Sequence, residues 1–186
     1  VNWSHNLHII FLNSAGIDIA LAGDIQEKIS QITANHRPPV NLNFCENTEE
    51  VFADDGTYLK SFCNVQRFLN YLDAEKFCFD NGMDLAMVEN EAIYYDLNEF
   101  VIKIYPDKKK IWGHGAGLWI NGRFDGSEWF GYRNFQKQPL GGVLRVVEEQ
   151  RHGGNCAVLK RNYSVELRNY DCMKRYHFIC EFNSVL

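Results

Sequence analysis

Six cysteines are the residues of this 186-residue chain best equipped for covalent or metal chemistry: Cys45, Cys63, Cys78, Cys156, Cys172 and Cys180. Their number is even and no two form a Cys-x-x-Cys pair, the spacing that metal sites and redox motifs usually show. A disulfide framework in an oxidising compartment is therefore expected, with the connectivity left open by spacing alone. If all six are bridged, no thiol remains for catalysis. His5 and His8 are spaced to share one face of a helix, but zinc takes about four ligands and no others stand beside them. Asp73, Glu75 and Asp80 fall on a helical stretch whose charged face is most simply solvated. His177 adjoins Phe178-Ile179-Cys180 in an apolar closing strand, a structural setting. The chain has no Gly-x-Ser-x-Gly elbow and no His-Glu-x-x-His zinc helix. Neither an enzyme nor a bound cofactor or metal is expected.

These residues need a frame, and composition supplies one. The chain is 46% hydrophobic, with 13 Phe, 9 Tyr and 4 Trp, enough for one packed domain plus an extension. A formal charge of −5 argues against general nucleic-acid binding, which wants a basic face. The one basic run, Lys108-Lys109-Lys110, reads as a solvated loop. No apolar run reaches the roughly 18 residues of a membrane span. The chain begins at Val1, which fits a removed signal peptide. Asn2-Trp3-Ser4 and Asn162-Tyr163-Ser164 make Asn2 and Asn162 candidate glycosylation sites. A secreted, extracellular protein is expected.

Along the chain, residues 1–16 show no clear period. Between 17 and 34, Leu21, Ile25, Ile29 and Ile32 recur at helical spacing among Asp24, Gln26, Glu27 and Lys28. So short a helix is marginal alone. Its apolar stripe needs a surface, either the domain itself or another chain in a homo- or hetero-oligomer. Arg37-Pro38-Pro39 ends it, which places the boundary in 35–43 and divides the chain into an extension (1–43) and a domain (44–186). Val51-Phe52 and Tyr58-Leu59 flank the turn signal Asp54-Asp55-Gly56, predicting a hairpin between Cys45 and Cys63. A first core helix starts at Asn70, with Asp73 in its first turn, and stops at Asn81-Gly82. A second starts near Asn90, carries Ile93, Leu97, Phe100, Val101 and Ile104 on one face, and ends at Pro106-Asp107. Beyond Trp112, short β segments alternate with glycine-rich turns. The fold class read from this is α+β: two helices, then irregular antiparallel sheets and a long loop region, with Trp119 and Ile120 in the core.

Several ordered motifs carry a more specific signal. They are Cys78, Gly82, Leu85, Ala86 and Val88 after the first helix; Trp119, Ile120 and Gly122; Asn155-Cys156; and Phe178-Ile179-Cys180-Glu181. Together they resemble the C-type lectin-like domain over about residues 44–182. The resemblance implies the bridges Cys78–Cys180 and Cys156–Cys172. Cys45–Cys63 is left as the extra N-terminal bridge of the long form, across a gap longer than the family usually shows. The layout is also similar to insect immune lectins, which place an N-terminal extension before this domain and often degrade its calcium motif; a role in innate immunity is what that layout implies.

In sugar-binding members of that family a calcium ion does the recognition, held by about six to eight oxygens. These come from a Glu-Pro-Asn or Gln-Pro-Asp loop, a Glu just before the third cysteine and a Trp-Asn-Asp strand before the fourth. Here the loop is Gln138-Pro139-Leu140, the Glu position is Gly154, and the strand reads Leu167-Arg168-Asn169. Two amide oxygens remain, on Gln138 and Asn169, with no aligned carboxylate and a guanidinium added at Arg168. A divalent cation leaving water needs converging negative charge, so no metal is expected at the usual sugar site. Asp171, Glu166 and Glu148-Glu149 are the carboxylates that a displaced ion would have to use.

Residues 141–154 remain as a candidate binding loop, with glycine pairs at both ends and Arg145, Glu149 and Arg151 within it. The same stretch reads equally well as a variable loop without a ligand. Arg145, Arg151, Arg161 and Arg168 could form a patch for an acidic glycan or protein face. The residues expected to touch a ligand are Gln138, Leu140, Arg145, Glu149, Arg151, Arg168 and Asn169. The expected function is a secreted, non-catalytic recognition module binding a glycan or protein without calcium. Two alternatives stand beside it: a weak glycan lectin acting multivalently, and an assembly subunit paired through 17–34 with a lectin partner.

Overall fold

The structure is a computed structural model and describes residues 37–52, 58–106, 117–133, 136–140, 154–161 and 165–185. The predicted helix over 17–34, His5, His8, Lys108-Lys109-Lys110, residues 141–153, Asn2 and Asn162 lie outside them. In order, the described elements are β1 (Asn47–Phe52), β2 (Tyr58–Leu69), α1 (Tyr71–Asp80), β3 (Asp84–Leu85), α2 (Glu91–Ile104), β4 (Leu118–Phe124), β5 (Trp129–Arg133), β6 (Gln136–Pro139), β7 (Cys156–Arg161), β8 (Val165–Tyr170) and β9 (Tyr176–Val185).

Both helices begin where their caps predict. The Asn70 side chain accepts the Asp73 N–H and that of Asn90 accepts the Ile93 N–H, each at 2.9 Å, satisfying donors that a first turn leaves orphaned. α1 ends at Asn81-Gly82, and Gly82 has φ +78. A Cβ at Gly82 would also lie 2.5 Å from the Pro38 carbonyl oxygen, so glycine is required for both conformation and space. That contact shows residues 37–41 lying on the domain. Arg37 pairs with Asp84, and the Asn41 N–H donates to the Asn81 carbonyl at 3.1 Å.

β1 and β2 form the expected antiparallel hairpin, and β2 then pairs with β9. β9 pairs with β4, from which β5–β6 and β7–β8 extend. The expectation of antiparallel pairing holds except at one place: β4 and β9 run parallel through Leu118↔His177 and Trp119↔Phe178. Four strands separate the two in the chain, and so long a connection permits the parallel arrangement that a tight turn forbids.

β4 also divides the core. Its side chains alternate: Leu118 and Ile120 face the α2 cluster with Phe62, Leu97, Phe100 and Ile179, while Trp119 faces the disulfide cluster with Cys78, Val158 and Phe178. Trp119 is fully buried, donates from Nε1 to the Leu69 carbonyl at 2.9 Å, and meets Tyr71 and Tyr176 edge-on. Three disulfides close as the resemblance implied: Cys45–Cys63, Cys78–Cys180 and Cys156–Cys172.

His177 sits half-buried on β9, its ring 4.2 Å from that of Phe68. Desolvation holds its pKa below the ordinary 6.5. The unfolded chain therefore binds the proton more readily, and stability rises with pH across this window. Melting temperature is expected to be level above 6.5 and to fall as pH drops below it. His177→Gln should make that acid-side decline shallower; an unchanged profile would refute the assignment.

Candidate functional site

Of the residues expected to touch a ligand, Gln138, Leu140, Arg168 and Asn169 are described, and they sit on or beside two ribbons. In β5–β6, Gln138 stands opposite Gly131 and is half-buried. Two residues on, Leu140 is only 7% exposed and donates its N–H to the Trp129 carbonyl at 3.0 Å. A Cβ on Gly122 would come within 3.0 Å of its Cδ1, so Leu140 closes the core beside β4 and points no group at a ligand. The carboxylates nearest this ribbon are engaged: Lys137 Nζ lies 2.8 Å from Asp125 Oδ2 and 3.0 Å from Glu128 Oε1. Lys137, with the hydroxyl and N–H of Ser127, holds the Asp125 carboxyl well below the usual carboxylate range.

In β7–β8, Arg168 stands opposite Val158 and Asn169 opposite Ala157. The Arg168 guanidinium folds back onto Glu166, with Nε at 2.9 Å and Nη2 at 2.6 Å from Oε2. Strand residues two apart share a face, so this cation is met by its own strand. Asp171 Oδ1 accepts the Met173 N–H at 2.9 Å and shapes the turn before β9. β6 and β8 are terminal strands on different sides of β4, so Gln138 and Asn169 lie on separate edges. Arg145, Glu149 and Arg151 fall outside the described residues, as does the Arg161 side chain.

Gly154, where the resemblance would place an acidic ligand, has no room for a side chain. A Cβ at this position would lie 1.9–2.0 Å from the Tyr170 carbonyl carbon and oxygen and the Asp171 nitrogen. No side chain fits. Among the described residues there is also no group of three His, Cys, Asp or Glu able to hold a metal. Gly154→Glu, which returns the missing carboxylate on paper, is therefore expected to destabilise the domain by about 2–3 kcal/mol through overpacking and to gain no calcium affinity. Melting curves with and without calcium check both; a variant stabilised by the ion would refute the steric account.

Sequence reading missed the charge cluster beneath this region. Lys60 is 0% exposed, with Nζ 3.2 Å from both Glu89 Oε1 and Glu181 Oε2, and Arg133 pairs with both carboxylates. The Met87 N–H also donates to Glu181 Oε2 at 3.0 Å. Every residue of β2 from Lys60 to Val65 is buried, so both faces of the strand turn inward there and parity gives no signal for Lys60. A second pair, Arg123–Glu75, ties β4 to α1 beneath the Tyr71 and Tyr132 rings. Burial raises the Glu75 carboxyl despite that arginine.

Two helices, a sheet centred on the pairing of β9 with β2 and β4, and bridges Cys78–Cys180 and Cys156–Cys172 define the class: the described domain has the C-type lectin-like fold. Solved structures support this directly. The mouse scavenger receptor C-type lectin carbohydrate-recognition domain is similar at a TM-score of 0.54 and 17% identity, over 77% of this chain and 97% of that one. The C-type lectin domain of murine dendritic cell inhibitory receptor 2, solved in complex with N-glycan, gives 0.52 at 11% identity over 67% and 91%. Ovocleidin-17, a major protein of the Gallus gallus eggshell calcified layer, gives 0.50 at 19% identity over 73% and 96%. No family model and no curated protein matches the sequence.

Proposed function

We propose that the chain is a secreted, non-catalytic recognition module that binds a glycan or protein ligand without calcium at the usual sugar site. The observation that carries this reading is Gly154, packed so closely on Tyr170 and Asp171 that the aligned acidic ligand has no room. The Arg168–Glu166 pair and the buried Leu140 add to it, since neither leaves a carboxylate to meet a cation. Three closed disulfides favour an oxidising, extracellular setting. The 141–154 loop, with Arg145, Glu149 and Arg151, forms the ligand face in this reading, with Gln138 and Asn169 contributing from separate edges. The helix predicted over 17–34 is, in this reading, the surface through which copies or a partner associate. Solved neighbours described as a carbohydrate-recognition domain and as an N-glycan complex make glycans the first ligand class to test.

The test is a glycan array run with calcium and with EDTA, beside calorimetry. Any binding is expected to survive EDTA, and calcium to bind no tighter than about 0.1 mM. Glycan binding abolished by EDTA and restored by calcium would overturn the proposal.

A further inference from the structure

One corner of the domain, built on the turn that follows β8, combines two unusual features. The Tyr71 N–H donates to the Cys172 carbonyl at 3.0 Å and Arg175 Nε donates to the Phe68 carbonyl at 2.9 Å. These bonds bring the end of β2, the first turn of α1 and the turn before β9 together. On this corner Phe68 and Leu72 are each 56% exposed and Met173 is 71% exposed, apolar surface that folding leaves in water. Lys174 and Arg175 follow Met173 in the turn, and Arg67 precedes Phe68 with its guanidinium 4.8 Å over the Phe77 ring; all three are exposed. Among the described residues no carboxylate pairs with any of the three, whereas Lys76, Lys103 and Lys137, also exposed, each hold at least one. The neighbouring carboxylates are held by neutral donors, Asp73 Oδ2 by the Asn70 amide at 2.7 Å and Asp171 by the Met173 N–H, so three cations stand beside two carboxylates and keep a positive excess.

We infer that this corner docks on an anionic lipid bilayer. Phe68, Leu72 and Met173 enter at headgroup level while Arg67, Lys174 and Arg175 meet lipid phosphates. In a chain of net charge −5 the positive field is local, and an anionic surface is the partner it complements. The shape favours a bilayer over a peptide. Met173 tops a turn, and the other two apolar residues project from a strand end and a helix start; an amphipathic helix needs a groove to lie in.

Sedimentation with vesicles tests it, using the full chain. Vesicles of equimolar phosphatidylglycerol and phosphatidylcholine are expected to bind the protein, and pure phosphatidylcholine vesicles to bind it far more weakly. The triple variant Arg67→Gln, Lys174→Gln, Arg175→Gln should lose about a hundredfold in affinity, and Met173→Ser alone several-fold. Lys76→Gln, whose lysine is paired with Asp80, should bind as the parent does. Met173→Ser changes a turn tip and serves if the triple variant melts early. Binding equal to both vesicles, binding to neither, or an unaltered affinity in the triple and Met173 variants would overturn the inference. So would capture of an acidic amphipathic peptide by a protein that ignores anionic vesicles.

Discussion

Replacing Cys78 and Cys180 together by alanine is expected to lower stability by about 4–5 kcal/mol, which for a domain this size moves the melting temperature down by roughly 10–20 °C. The bond joins residues 102 apart, from the end of α1 to the last strand. Cutting it frees almost the whole domain in the unfolded chain. Cys156–Cys172 spans only 16 residues, and the chain-entropy difference between the two loops is about 1.6 kcal/mol. The pair of double variants therefore ranks itself: loss of Cys156–Cys172 should be the milder. Both sulfurs of the long bridge are also buried in the cluster around Trp119 and Phe178, so alanine leaves a void as well as a longer tether. A drop below about 3 °C on thermal unfolding would show that the unfolded chain is already constrained some other way.

Lys60→Met is the second large effect, with an expected loss of about 3 kcal/mol, the low end for breaking a buried ion pair. Methionine keeps most of the stem's volume, so packing changes little. The charge does change. Lys60 and Arg133 balance Glu89 and Glu181, and without the lysine one guanidinium faces two carboxylates, one of them 2% exposed. Adding Glu181→Gln restores neutrality, leaves Arg133–Glu89 intact, and keeps an amide oxygen for the Met87 N–H. The double variant should thus be more stable than Lys60→Met alone. Urea titrations of the four proteins decide it, and a double variant weaker than both singles would sink the electrostatic explanation.

Much of this domain was legible before any coordinates. The helix starts at Asn70 and Asn90 are local chemistry, one side chain meeting one N–H, and such signals survive in sequence. The alternation through Leu118, Trp119 and Ile120 is equally local, although which face meets which cluster is not. What escaped depends on residues distant in the chain. The parallel contact of β4 with β9 follows from the path of the whole chain. Lys60 meets Glu181 across 121 positions, and a lone lysine in a strand ordinarily marks the solvent side. Leu140 and Gly154 fall between. Sequence shows that each lacks a ligand oxygen, but only packing shows that one plugs the core and the other has no space for a side chain.

The register of β2 against β9 has a further consequence. Cys63 and Cys180 stand directly opposite one another, yet each is bonded to a different residue, Cys45 and Cys78. Facing positions in an antiparallel pair lie about 4.5–5.5 Å apart, inside the range a disulfide tolerates. A wrong Cys63–Cys180 link can therefore form within a correctly assembled sheet, stranding two thiols nearby. Maturation of this protein is a sorting problem in which the hairpin must be sealed first, or an exchanging thiol must be at hand to undo the error.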